Sequence, residues 1–245
     1  MKRCITIYSS KGGVGKTTLT LNIAQILSTS GQRVLVVDTD PQNSLSGVLG
    51  IRNHLGLSEI FNHPVEKLVQ KTTKGFDILP SGIMAIEETN DYITMLLQYP
   101  DQFETALKSL IGYYDIVLID TPPGFSPMTN LAMKVSDTII GVLEADATSY
   151  ATLELMQNTL TKVKNSYGQE KQIYFVTNKV AADEISVNFE ALYRYLFDKL
   201  YLFALPFDSN VKVAATRVET LYEYNPNSPL YQTLLQMLKK LFSIP

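Results

Sequence analysis

CITIYSSKGGVGKTTLTLNIAQIL, residues 4–27, decides the fold. An apolar run, a glycine-rich turn and a stretch with Leu19, Ile23, Ile26 and Leu27 at helical spacing follow one another without a break. That order is strand, loop, helix, the setting in which a glycine loop holds phosphate. The common pattern G-x-x-x-x-G-K-[ST] asks for a glycine six places before Lys16, where Ser10 stands instead. The extra glycines come later, at Gly12 and Gly13, and a second lysine, Lys11, directly precedes them. Across Gly12, Gly13, Val14 and Gly15, backbone amides can crowd a polyphosphate with few Cβ atoms in the way. The helix beginning near Lys16 aims its positive dipole end at the same anion. Lys16 then reaches the β and γ phosphates, the Thr17 hydroxyl serves Mg²⁺, and Thr18 adds a further hydroxyl. An ordinary glycine turn is the plain alternative, and three glycines followed by GKTT argue against it.

Outward from this unit, RVLVVDTD (33–40), FDILPS (76–81), DIVLIDTPP (115–123), TIIGVLE (138–144), QIYFVTN (172–178) and LYLFALP (200–206) read as further strands. Most are apolar nearly throughout, as parallel strands covered on both faces must be. Phe103, Ala106, Leu107, Leu110 and Ile111 follow helical spacing, as do Phe189, Leu192, Leu196 and Leu200. Alternating strand and helix predicts an α/β fold with a doubly wound, mostly parallel sheet and ligands at the carboxyl ends of the strands. Residues 43–71 read as mostly helix and loop. No linker or repeat divides the chain, so one domain over 1–245 is expected.

The 245 residues carry a net charge of −3 and are 45 % apolar, enough for a covered sheet and without a global pull toward nucleic acid or anionic lipid. Contact with either needs a local basic patch. One cysteine, Cys4, excludes an internal disulfide and a Cys-based metal or iron–sulfur site within the chain, and fits a reducing cytoplasm. No apolar run reaches the roughly 18 residues of a membrane span. His54 and His63 have no assignable carboxylate partner.

Two more strands end in acids. VLVVDTDPQ places Asp38 and Asp40 two residues apart, on one side of the strand end. IVLIDTPPG places Asp120 directly after four apolar residues, the context of a carboxylate that organises Mg²⁺. A lone acid leaving a strand is commonly a helix cap; three beside a phosphate loop read as metal and water chemistry. Pro122 and Pro123 stiffen the next turn, and Gly124 can offer an amide to a terminal phosphate.

KGGVGKTT, VDTDPQ and LIDTPPG together resemble the ParA/MinD superfamily of deviant-Walker P-loop ATPases, and DTDPQ points to its ParA branch. FDILPSG, NKV, LPFDSNVKV and the tail EYNPNSPLYQTLLQMLKKL extend the likeness over nearly the whole chain. A start directly at the first strand resembles the short ParA type without an N-terminal helix-turn-helix. The resemblance implies that Lys11 is the signature lysine, crossing a homodimer interface to the partner's ATP. It further implies Lys16 on phosphates, Thr17 on Mg²⁺, Asp40 orienting the attacking water, and Asp38 and Asp120 around the metal.

For the base, Asn178 at the end of a strand could read adenine, or simply cap the strand. Pro206, Phe207 and Asp208 resemble the adenine-side loop. The resemblance also implies non-specific double-stranded DNA as a partner, through Arg194, Lys212 and Arg217, and a ParB-like or cargo adaptor that stimulates slow hydrolysis. The expected location is cytoplasmic, on the nucleoid when ATP is bound. A MinD-like membrane switch is the alternative. It would use Leu230, Leu234, Met237, Leu238 and Leu241 with Lys239, Lys240 and Phe242, although a tail helix packed on the sheet has the same pattern.

Overall fold

The computed structural model describes residues 2–51, 55–83, 85–167, 171–197 and 202–242. In chain order the elements are β1 (Arg3–Tyr8), α1 (Lys16–Thr29), β2 (Val34–Asp38), α2 (Ser44–Val48), β3 (Gln70–Lys71), β4 (Asp77–Leu79), α3 (Ile86–Gln98), α4 (Pro100–Ile111), β5 (Ile116–Asp120), α5 (Pro127–Val135), β6 (Thr138–Glu144), α6 (Ala147–Ala151), α7 (Leu153–Ser166), β7 (Gln172–Val180), α8 (Glu184–Leu196), β8 (Leu202–Pro206), α9 (Asn210–Thr216), α10 (Leu221–Tyr224) and α11 (Pro229–Phe242). The eight strands form one sheet in the order β3-β4-β2-β5-β1-β6-β7-β8. Every pairing is parallel except β3 with β4.

Side chains alternate across each strand, and both faces are covered. Ile5, Ile7, Val34, Val36, Ile116 and Leu118 face α1 and α11. Cys4, Leu35, Val37, Val117 and Ile119 face the opposite layer, with Phe103 and Leu107 of α4 and Leu131 of α5. A third cluster joins Tyr8, Ile139 and Leu143 to Met156 and Leu160 of α7 and Tyr193 of α8. Each fully buried leucine in such a core contributes about 2–5 kcal/mol, judged by the cost of truncation to alanine.

One expectation gains a detail and one needs correction. Among the described residues 43–71 is mostly helix and loop, as expected, but it also supplies the antiparallel edge strand β3, whose two residues are too few for a periodicity signal. The fifth strand stops at Asp120 rather than running to 123, because Pro122 and Pro123 lack the amide hydrogens a ladder needs. Leu200 lies outside the described residues. The tail is a packed helix: Leu230, Leu234, Met237 and Leu238 of α11 are buried against the sheet and α1, with Leu241 and Phe242 half-buried beside them. Its apolar face is therefore already covered, while Lys239 and Lys240 remain exposed. Among the described residues no helix is long and apolar enough to cross a membrane.

The strand order decides what meets at the carboxyl edge. Adjacent strands β2, β5, β1, β6 and β7 end in Asp38, Asp120, the glycine loop, Glu144 and the Asn178–Lys179 pair. Cross-strand register sets Asp38 opposite Asp120 and Glu144 opposite Asn178.

Candidate phosphate and nucleotide site

The glycine loop takes a shape its glycines make possible. Gly13 and Gly15 have φ of 77° and 97°, in the left-handed region that residues with a Cβ rarely enter. A Cβ on Gly15 would also stand 2.5 Å from Asn178 Nδ2. Gly15 is the N-cap of α1, with no side-chain cap and no acid in the first turn. The opening amides of α1 therefore face the loop without a carboxylate of the chain competing for them. Two consecutive residues of β7 hold two consecutive loop carbonyls: Asn178 Nδ2 donates to Val14 O at 2.8 Å, and Lys179 Nζ donates to Gly13 O at 2.6 Å. Lys179 does so from a left-handed backbone, φ 58°, at the register shift of β7 against β8.

Lys16 is buried, 7 % exposed. Burial pulls its ammonium below the usual lysine range, with the charges of Asp120 and Asp40 opposing. Thr17 Oγ1 donates to Asp120 Oδ2 at 2.7 Å and Thr20 Oγ1 to Asp120 Oδ1 at 3.1 Å. Burial, then the neighbouring Asp38 charge, pushes the Asp120 carboxyl up to about 7. Asp38 is pushed up by burial to about 6, although the Ser46 hydroxyl and amide and the Asp40 amide all donate to it. Asp40 is nearly buried, and one of its oxygens accepts from the Gln42 amide at 2.9 Å.

These donors fit Mg²⁺ bound alongside a nucleotide. A hydroxyl and a carboxylate, both hard oxygens, stand together at the loop, and Mg²⁺ takes one or two such groups with phosphate oxygens and waters. Among the described residues no cluster of three or more His, Cys, Asp or Glu could hold a metal without that help. Asp38 and Asp120 are each engaged by donors of the chain, Asp38 by Ser46 and Asp40 and Asp120 by Thr17 and Thr20.

Beyond the loop lies a cavity of about 300 Å³ lined by Gly15, Thr18, Asn178, Pro206, Phe207 and Asp208, among others. The sequence-derived base residues therefore meet in one place. Asn178 Oδ1 is buried there with no hydrogen-bond partner among the described residues. Asp208 accepts from the Asn210 and Leu230 amides, which fixes the loop.

Other expectations fare differently. Lys11 bonds within its own protomer: its Nζ lies 2.7 Å from Glu144 Oε2 and 2.7 Å from Asp146 Oδ2. Burial alone would lower its pKa, but the hydrogen bonds to Asp146 and Glu144 outweigh that and raise it. The Gly124 amide donates to Ser9 O at 3.0 Å, so in this state it is not offered to phosphate. Lys212 lines the base cavity, Arg194 pairs with Glu190 on its own helix, and Arg217 stacks at 5.1 Å over Tyr224. Arg194 and Arg217 thus have partners within the chain. His63 Nε2 lies 3.9 Å from Glu59 Oε2, four residues earlier; His54 lies outside the described residues. Glu144, Asp146 and Lys179 escaped the sequence reading. An acid ending the buried run TIIGVLE was the available signal for the first of them.

The family model described as an AAA domain matches residues 2–173. Chromosome-partitioning ATPase Soj of Thermus thermophilus is 29% identical over 231 residues, spanning 93% of this chain and 90% of the relative. Virulence plasmid ParA family protein pGP5-D of Chlamydia muridarum is 32% identical over 200 residues, 75% of this chain and 70% of its own. Among solved structures, septum site-determining protein MinD of Pyrococcus horikoshii, complexed with Mg-ADP, superposes with a TM-score of 0.83 at 26% identity, covering 99% of this chain and 96% of that one.

Proposed function

From a chain that belongs to the AAA domain family, and within it to the ParA-type P-loop partitioning ATPases, we propose an ATP-switched dimer that binds DNA without sequence preference and lets go on hydrolysis. The observation that carries this reading is the continuity of the site. Loop amides, Lys16 and the Thr17–Asp120 pair stand at one end, and the base cavity with its orphaned Asn178 acceptor stands at the other. A nucleoside triphosphate with an exocyclic amino group matches both ends.

In this reading the Lys16 ammonium and the opening amides of α1 hold the β and γ phosphates. Mg²⁺, when bound, neutralises phosphate charge; Thr17 and Asp120 would hold it, with Asp38 adding negative potential behind them. Asp40 orients the attacking water, and Lys11 reaches the phosphates of a second protomer, adding charge stabilisation during transfer. The whole chain, 1–245, acts as one unit. The dimer doubles any basic surface built from Arg194, Lys212 and Arg217, which gives phosphate contacts with steep salt dependence. An adaptor protein accelerates an otherwise slow turnover, and the ATP-bound form resides on the nucleoid. The packing of the apolar face of α11 against the sheet favours this reading over the membrane alternative.

Fluorescence anisotropy of random duplex DNA, titrated with protein in ATP·Mg²⁺, ADP·Mg²⁺ or no nucleotide, tests the reading. Binding confined to ATP and lost as salt rises is expected. DNA binding that ignores nucleotide, or none in any state, refutes it.

A further inference from the structure

Glu144 and Asp146 stand ready for a cation before any partner arrives. Asp146 caps α6, its Oδ1 accepting from the Ser149 amide at 2.7 Å and the Thr148 hydroxyl at 3.0 Å. That leaves Oδ2 for Lys11. The Glu144 amide donates to Ser149 Oγ at 3.1 Å, which holds that residue to the same turn. One Glu144 oxygen takes Lys11 and the other takes Lys179, whose ammonium also holds the Gly13 carbonyl. Loop and lysine thus share one carboxylate.

We propose that Glu144 and Asp146 form a counter-ion latch that keeps Lys11 inside its own protomer, so that dimer closure is an exchange of partners for this lysine. The inference rests on the role in trans assigned to Lys11 above. A lysine with both carboxylates at 2.7 Å must give up two charge-assisted hydrogen bonds before it can cross an interface. Only a group of comparable negative charge, such as a triphosphate in the facing protomer, compensates that loss. A diphosphate compensates less. The latch therefore sets the threshold of the switch, and the family's signature lysine is restrained by residues of its own chain.

The test is sedimentation velocity of the full chain titrated with ATPγS·Mg²⁺. Removing both latch charges, with Glu144→Gln and Asp146→Asn together, should lower the nucleotide concentration at half-dimerisation by about tenfold. Each single variant should give part of that shift. Asp146→Glu, which keeps the charge, should stay near the wild-type midpoint. A midpoint unchanged or raised in the double and both single variants overturns the latch. Lys11→Ala should remain monomeric in both backgrounds. If Lys11→Ala alone dimerises as the wild type does, the role of Lys11 in trans falls, and the latch with it.

Discussion

Replacing Asp120 with asparagine should stabilise the nucleotide-free protein near pH 8 while removing its chemistry. Asp120 is fully buried and sits opposite the equally buried Asp38 in the β2–β5 register. Burial and the Asp38 charge raise its carboxyl from 3.8 to about 7. The folded state therefore binds this proton more tightly than the unfolded state does. The stability it contributes is complete below 3.8 and is lost as pH rises through about 7. Integrated over that shift, the raised carboxyl of Asp120 costs the fold about 4 kcal/mol at pH 8, where it is ionised, and about 2 kcal/mol at pH 5, where the unfolded chain alone ionises. Asparagine has the same shape and no charge. Its amide can donate to Asp38, and its oxygen can still accept from Thr17 or Thr20. Urea unfolding in EDTA, with m unchanged, reads the difference: D120N should exceed wild type at pH 8 by about 4 kcal/mol and by about 2 kcal/mol less at pH 5. In thermal melts the pH 8 gain corresponds to about 10 °C for a chain of this size. A variant no more stable than wild type at pH 8, or one whose advantage does not change with pH, would refute the assignment of the cost to the Asp120 charge.

Gly15→Ala must place a Cβ at φ 97° and 2.5 Å from Asn178 Nδ2, so it should cost about 1–3 kcal/mol in stability. By displacing Asn178 from the Val14 carbonyl it should also weaken ATPγS binding at least tenfold in calorimetry; unaltered affinity would show that the loop tolerates another shape. Leu234→Ala, at a fully buried position of α11, should lose about 2–5 kcal/mol in urea melts, and both forms should fail to float with anionic liposomes. Asp146→Asn should have the sign opposite to D120N. Burial opposes its charge, but Lys11 and the Ser149 amide hold the carboxyl down at about 2, so stability is present above the unfolded value of 3.8 and lost as pH falls through about 2. With 38 % of the side chain exposed and screened, about 1 kcal/mol at pH 7 is expected, measured by the same melts.

Much of the frame was legible because its signals are local. Strands apolar throughout, the 4–27 unit and acids at the ends of VLVVD and IVLID are readable within single windows of sequence. The edge strand β3 was not, since two residues carry no period and are paired only through β4. Nor was the cluster of Lys11, Glu144, Asp146 and Lys179. Residue 11 and residue 144 meet because β1 lies between β5 and β6, and strand order is set by packing of the whole sheet rather than by any one stretch. Asn178 fell between: its place after a buried strand was visible, but its hold on Val14 and its orphaned oxygen needed the neighbouring strand.

The same non-local order explains why similar residues at similar strand ends have opposite electrostatic fates. On one flank of the loop Asp38 and Asp120 face each other across a strand pair, with hydroxyl and amide donors close by and the nearest cation, Lys16, too little to offset their burial, so both carboxyls rise. On the other flank Glu144 and Asp146 are matched by Lys11 and Lys179, and Asp146 falls. A flank short of positive charge is one that a divalent cation and its nucleotide can complete. A flank with its charges paired is one whose cation must be withdrawn before it can serve elsewhere. In the proposed cycle ligand entry would relieve the first and dimer closure would open the second. The loop and the start of α1 lie between the flanks, with Thr17 bonded to Asp120 on one side and Lys179 joining the Gly13 carbonyl to Glu144 on the other.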